Sequence, residues 1–231
     1  MFHIGLLVPS SNIVIEPDFY RMAPDNVSIH SARMSLTEFT QDALSHTLND
    51  AQRQAELLAQ ARVDILVYGC STCALHGGVD WEKVLMDQLN FNTGIRVITV
   101  NSAMIDAVRA LGVNRIGVVT PYTATINRLK KRYLEAHGFN VSRIKGLGLS
   151  DAIEIGSVDE DRIMSLIDEV ASEAGLVLIG CSGMPATTLI DKIEAQYGVP
   201  VVTSNQAALW GSLRGSGIKP LGGYGCLMNL S

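Results

Sequence analysis

At 231 residues, 47% hydrophobic and with a formal charge of −5, the chain has ample material for a core and no basic surplus with which to hold nucleic acid. No apolar run approaches the roughly 18 residues that cross a bilayer. The N-terminus enters an apolar strand with no charged leader, so a cytoplasmic protein with reduced cysteines is expected.

Taken in chain order, strands are expected at 3–8, 27–33, 64–68, 95–100, 115–120, 140–147, 176–180 and 199–203. Most lack alternation, as parallel strands buried on both faces do. Helical spacing of apolar residues marks 47–61, 103–111, 123–137, 159–173 and 186–197, with Gly112, Gly138 and Gly198 where C-caps belong. A last helix is expected at 206–213. The basic run Arg128, Lys130, Lys131 and Arg132 falls inside a helical pattern and reads as a solvated face. Alternating strands and helices give an α/β fold with parallel sheets.

The chain also says the same thing twice. His3-Ile4-Gly5-Leu6-Leu7-Val8-Pro9 leads to Tyr68-Gly69-Cys70-Ser71, and Arg115-Ile116-Gly117-Val118-Val119-Thr120-Pro121 leads to Ile179-Gly180-Cys181-Ser182. Gly5 precedes Cys70 by 65 positions and Gly117 precedes Cys181 by 64. Val97-Ile98-Thr99-Val100-Asn101 is echoed by Val201-Val202-Thr203-Ser204-Asn205. A repeat of this period predicts two similar halves. One comprises residues 1–100 with the leftover helix and tail 206–231, the other 101–205. A cleft between them would hold one Gly-Cys-Ser from each.

Ligands of open parallel sheets bind at the carboxyl ends of the strands. The polar clusters fall there: Ser10-Ser11-Asn12, Cys70-Ser71-Thr72-Cys73, Thr120-Pro121-Tyr122, Cys181-Ser182-Gly183, and Asn101 and Asn205 at the ends of the fourth strands. A thiol can act as nucleophile and can exchange a proton near neutrality. Hydroxyls and backbone N–H groups suit a carboxylate or a developing enediolate. Cys70-x-x-Cys73 also matches a redox motif. Such pairs open a helix, however, and Ala74-Leu75-His76-Gly77-Gly78 reads as loop, so Cys73 is taken as a neighbour rather than a partner. Cys226 lies in a Gly-rich tail and is assigned no chemistry. His3, His30, His46, His76 and His137 show no paired metal spacing, His76 reads as a surface or supporting residue, and neither a Walker pattern nor G-x-G-x-x-G follows the first strand. Neither a metal nor a nucleotide cofactor is expected.

These residues resemble the Asp/Glu racemase superfamily, in its branch of maleate cis–trans isomerase and arylmalonate decarboxylase. The resemblance runs over nearly the whole chain. It rests on Ile4-Gly5-x-x-Val8-Pro9-Ser10-Ser11-Asn12, Tyr68-x-Cys70, Ala110-Leu111-Gly112-Val113-x-Arg115, Thr120-Pro121-Tyr122, Cys181 with Met184-Pro185, and Gly198-Val199-Pro200-Val201-Val202-Thr203. It implies two Rossmann-like (flavodoxin-like) halves with four-stranded parallel sheets related by a pseudo-twofold axis. It also implies cofactor-independent chemistry on a small dicarboxylic or carboxylic acid, and a homodimer or higher homo-oligomer. In the isomerase pattern Cys70 adds to the alkene of a cis-enedioic acid, the new single bond rotates, and Cys181 exchanges the proton with the adjacent carbon. Asn12, Ser71, Thr72, Tyr122, Ser182 and Gly183 would bind the substrate.

Two relatives in the branch work differently. The decarboxylase pattern keeps a cysteine matching Cys181 and lacks one at Cys70. There the Cys181 thiol protonates the enediolate left by loss of CO2. A two-cysteine racemase would place both thiols about an α-carbon. Maleate isomerases tend to carry a substrate-binding Asn where this chain has Ala152, and the following Ile153-Glu154 is closer to the other branches. A non-catalytic small-acid binding protein is the reading from a different class.

Overall fold

The eight strands form two separate four-stranded sheets in the computed structural model, which describes residues 1–36 and 41–230 and, within 41–46, the backbone only. The first sheet holds β1 (Phe2–Pro9), β2 (Val27–Met34), β3 (Ile65–Tyr68) and β4 (Arg96–Thr99) in the order β2-β1-β3-β4. The second holds β5 (Arg115–Tyr122), β6 (Asn140–Leu149), β7 (Leu176–Ile179) and β8 (Val201–Thr203) in the order β6-β5-β7-β8. Every pairing is parallel. The repeat in the sequence is therefore a repeat of topology, and even the register is shared: Gly5 pairs with Leu66 and Gly117 with Val177. Both glycines admit a close neighbour. A Cβ at Gly5 would lie 2.8 Å from Leu66 Cδ2, and one at Gly117 would lie 2.9 Å from the carbonyl of Val170.

Parallel strands require crossovers. In the first half these are α1 (Ile15–Met22), α2 (Gln41–Gln60) and α3 (Ser71–Thr93), and α4 (Val100–Ala110) follows β4 and leads to the second sheet. In the second they are α5 (Ala124–Ala136), α6 (Ala152–Gly156) with α7 (Glu160–Ala171), and α8 (Ile190–Tyr197), and α9 (Ser204–Leu213) follows β8. Side chains alternate between the faces of each strand. Ile4, Leu6, Val8, Ile65 and Val67 from the first sheet join Ile116, Val118, Leu176, Leu178 and Val202 from the second in one core, together with α1, α4 and α9. The opposite faces close separately, under α2 and α3 for Leu7, Leu66 and Tyr68, and under α7 and α8 for Val119, Val177 and Ile179. The two halves thus share their largest core, and α9 packs back on α1 and α4.

Three expectations are corrected, and one element was not foreseen. The segment 74–78 is not a loop: α3 begins at Ser71 and buries Cys73, Ala74 and Leu75. At Gly78, with φ 79°, the backbone leaves helical geometry, so two helical segments meet at a kink there, and the second buries Glu82, Leu85 and Leu89. The short α1 carries too few apolar residues to announce itself, yet it buries Ile15, Phe19 and Met22. Asn101 and Asn205 do not end strands. They sit in the first turns of α4 and α9, behind matching capping boxes in which Thr99 pairs with Ser102 and Thr203 with Gln206. Lys130 is not part of a solvated face, being fully buried between the halves.

Candidate active site

Six segments at the carboxyl ends of β1, β2, β3, β5, β6 and β7 meet in one cleft. Every candidate site residue lines it: Cys70 and Cys181, Asn12, Ser71 and Thr72, Tyr122, Ser182 and Gly183. Pro9, Leu36, Ala152 and Ile155 supply an apolar wall. His76 is exposed on α3, Glu154 is exposed on α6, and neither borders the cleft. Cys226 lies apart, with its thiol donating to Glu194 at 3.3 Å. The described residues contain no cluster of three His, Cys, Asp or Glu that could hold a metal, and no helix among them is long and apolar enough to span a membrane.

The halves are stitched across the cleft by the site residues themselves. Ser71 Oγ meets Tyr122 Oη at 2.7 Å. Ser182 Oγ donates to the Gly69 carbonyl at 2.8 Å and accepts from Asn12 Nδ2 at 3.2 Å. Asn12 is oriented by the start of α1, where its Oδ1 accepts the N–H groups of Val14 and Ile15 at 2.9 and 3.1 Å. An amide whose oxygen is so engaged must turn its two donors into the cleft.

The two thiols occupy different environments. Cys70 is the N-cap of α3, in extended conformation. Its Sγ lies 2.9 Å from Cys73 Sγ and 3.4 Å from Thr72 Oγ1. The Cys73 thiol, chiefly, with Thr72 and the first backbone N–H groups of the helix, outweighs burial and draws Cys70 down to about 7. Cys181 is pushed up by burial, against weaker opposition from the Tyr122 hydroxyl, the Gly183 N–H at 3.3 Å and the Lys130 ammonium. Cys70 is therefore the thiol that ionises more readily, and Cys181 the one that keeps its proton longer.

Behind the thiols lies a second layer, of which the sequence singled out Asn101 and Asn205 but not Asp18, Lys130 or Glu82. Asn101 donates to the Ser71 carbonyl at 2.8 Å and accepts from Lys130 Nζ at 3.1 Å. In the other half Asn205 donates to the Ser182 carbonyl at 3.1 Å and to Asp18 Oδ2 at 2.8 Å. Each asparagine thus braces one cysteine loop and takes a buried charge from the opposite half. Asp18, which also accepts from Thr187 at 2.5 Å, is raised by burial. Lys130 is lowered by burial to about 8, and its tip lies under Gly180, where a Cβ would come within 2.8 Å of its Cε. The charges of Cys181 and Glu82 hold it up. Glu82 is itself buried and accepts from Thr99 and Tyr133. The signal was the repeat: Asp18 follows Gly5 by 13 positions, as Lys130 follows Gly117.

A duplicated α/β fold with a thiol from each half in the intervening cleft defines the class, a two-half α/β enzyme with paired cysteines. The particular family follows from comparison: residues 4–227 match the model of the arylmalonate decarboxylase family, and the chain belongs to that family. Among curated relatives, a maleate isomerase of Geobacillus stearothermophilus is 28% identical over 233 residues, covering 94% of this chain and 93% of its own. Among solved structures, a cysteine-to-alanine variant of the maleate isomerase Iso from Pseudomonas putida S16 with maleate superimposes with a TM-score of 0.91 at 28% identity, covering 100% of this chain and 98% of that one. A cysteine-to-serine variant of the Nocardia farcinica maleate cis–trans isomerase with a covalently bound succinylcysteine intermediate gives 0.92 at 25% identity, covering 100% and 99%.

Proposed function

We propose that the protein is a cofactor-independent cis–trans isomerase of a small cis-enedioic acid. The observation that carries this reading is the opposed state of two thiols in one cleft, with Cys70 drawn down to about 7 and Cys181 pushed up. Addition to an activated alkene needs a thiolate and, at the adjacent carbon, an acid. This pair supplies one of each.

Cys70 thiolate adds to one alkene carbon, and the electron pair moves toward the carboxylate on the other. Cys181 gives its proton to that carbon, leaving a succinyl thioether whose central bond is single and rotates. Cys181 then removes a proton from the same carbon, the alkene re-forms in the trans geometry, and Cys70 leaves as thiolate. No atom is gained or lost. The Ser71–Tyr122 hydroxyl pair and the Asn12–Ser182 pair form two polar clusters, one for each carboxylate. The succinylcysteine intermediate in the Nocardia relative supports the covalent step.

The apolar wall of Leu36, Ala152 and Ile155 favours a second reading, decarboxylation of a malonate bearing an apolar group, with Cys181 as proton donor. Proton NMR in D2O separates them. Fumarate formed from maleate and lost in Cys70→Ser supports the isomerase. CO2 loss from an arylmalonate that survives Cys70→Ser supports the decarboxylase and overturns the first reading.

A further inference from the structure

The second cysteine of the Cys70-Ser71-Thr72-Cys73 motif is unused by the chemistry above, yet it is the closest sulfur to the nucleophile. We propose that Cys70 and Cys73 are a reversible redox couple, in which a peroxide converts the two thiols to an intramolecular disulfide that switches the nucleophile off and shields it from irreversible oxidation.

The geometry carries the argument. The sulfurs are 2.9 Å apart, and a disulfide bond of about 2.05 Å needs an approach of less than about 1 Å. The pair opens a helix, with Cys70 at the N-cap and Cys73 in the first turn, which is the placement whose apparent absence spoke against a redox role. Unpaired N–H groups at that end favour the thiolate of the outer sulfur. The two thiols are also unequal in access. Cys70 lines the cleft, while Cys73 is fully buried behind it and outside the cleft wall. A small oxidant arriving by the substrate's route therefore meets Cys70 first. The fully buried Tyr68 hydroxyl belongs to the same cluster, bordering the Cys73 thiol and interacting electrostatically with both thiols. Cys73 has no counterpart in the second half: the residue three beyond Cys181 is Met184, so the duplication provides a second thiol at one active cysteine and not at the other.

The steps balance with hydrogen peroxide as the oxidant. Cys70 thiolate attacks one peroxide oxygen, the O–O bond breaks, and hydroxide leaves a sulfenic acid on Cys70. Cys73 sulfur attacks Cys70 sulfur, the S–O bond breaks, and the departing hydroxide takes the Cys73 proton as water. Two electrons have passed from the pair of sulfurs to the peroxide. A dithiol reductant reverses the change by exchange at the disulfide.

The test uses the full chain, treated with hydrogen peroxide at neutral pH and analysed by intact mass and non-reducing peptide mapping. Expected is the loss of two hydrogens, a link between Cys70 and Cys73, and full return of both free thiols with dithiothreitol. In Cys73→Ser, Cys70 is expected to gain two or three oxygens that dithiothreitol does not remove. Wild-type protein that collects oxygen on Cys70 while Cys73 stays free, or that links Cys70 to Cys181, overturns the proposal. The wild-type result decides the matter even if the variant does not fold. The readout needs no substrate, so its failure leaves the isomerase reading untouched, and the reverse also holds.

Discussion

At the scale of single residues, two cysteines at equivalent places of a repeat differ because their neighbours differ. Cys70 faces a thiol and the N–H groups of a helix, and Cys181 faces mostly burial. The proposed chemistry turns that difference into a pH profile. kcat/KM is expected to rise as pH passes through about 7, where Cys70 ionises, and to fall at higher pH as Cys181 loses its proton. A flat profile between pH 6 and 9, a range of roughly the thiol titrations, would contradict the assignment. Cys181→Ala should lower kcat by roughly 10² to 10⁴-fold, the usual worth of a positioned acid, and still form an adduct at Cys70 visible by mass spectrometry. Adduct loss in that variant would mean that Cys181 is needed for the addition itself. Both thiols were legible in the sequence because the repeat set them in register. The Cys70–Cys73 contact was not, because the Gly77-Gly78 break, which is real, made the residues before it look like loop, whereas a short helical segment already runs from Ser71 up to that break.

At the scale of elements, helix starts do much of the positioning. Asn12 holds the first turn of α1 with its oxygen and faces the cleft with its nitrogen. Asn12→Asp keeps an acceptor for the helix and sets a negative charge against the substrate. A rise in KM of at least about tenfold is expected, the equivalent of about 1.4 kcal/mol, with Tm nearly unchanged. Asn12→Ala should add a stability loss of about 1 kcal/mol, since the Val14 and Ile15 N–H groups lose their acceptor. Equal behaviour of the two variants in KM and Tm would reduce Asn12 to a structural cap. Lys130 is the element-scale residue that composition concealed. Three flanking basic residues gave α5 a solvated look, and the repeat offset that would have flagged Lys130 pairs it with an acid, Asp18, rather than with a like residue. Its titration gives a signed prediction. The unfolded lysine keeps its proton to about 10.5 and the folded one to about 8, so between these values the unfolded chain binds more protons and stability rises with pH. Relative to Lys130→Met, wild type should therefore gain up to roughly 3 kcal/mol from pH 7 to pH 10.5. Melting both proteins across that range checks it, and a constant difference in Tm would show that Lys130 is not buried as an ammonium.

At the scale of the whole molecule, topology was easy to read and the closure of the fold was not. Eight strands, their parallel sense and the doubling follow from short apolar runs and one repeated phrase, whereas the sharing of a core has no local signature. Ile4 and Ile116 look alike in sequence, and nothing adjacent to either tells that they belong to one cluster. That sharing has a mechanical consequence, because the cleft is spanned by hydrogen bonds between halves that also rest on common apolar ground. The helix α9 tests it. It buries Leu209, Trp210 and Leu213 together with Ala207 and Ala208, against α1 and α4. At roughly 1.5–3 kcal/mol for each large side chain, its removal forfeits an amount comparable with the whole stability of a typical domain, about 5–15 kcal/mol. A chain ending after residue 203 would also lose Asn205, leaving Asp18 buried with one partner fewer and the Ser182 loop unbraced. Such a chain is expected to lack a cooperative thermal transition, and the complete chain to melt in one step with near-ultraviolet circular dichroism and fluorescence coinciding. Two separated transitions in the complete chain, or a cooperative one in the shortened chain, would mean that the halves fold independently. Relative motion of the thiols would then have to be controlled by the cleft hydrogen bonds alone.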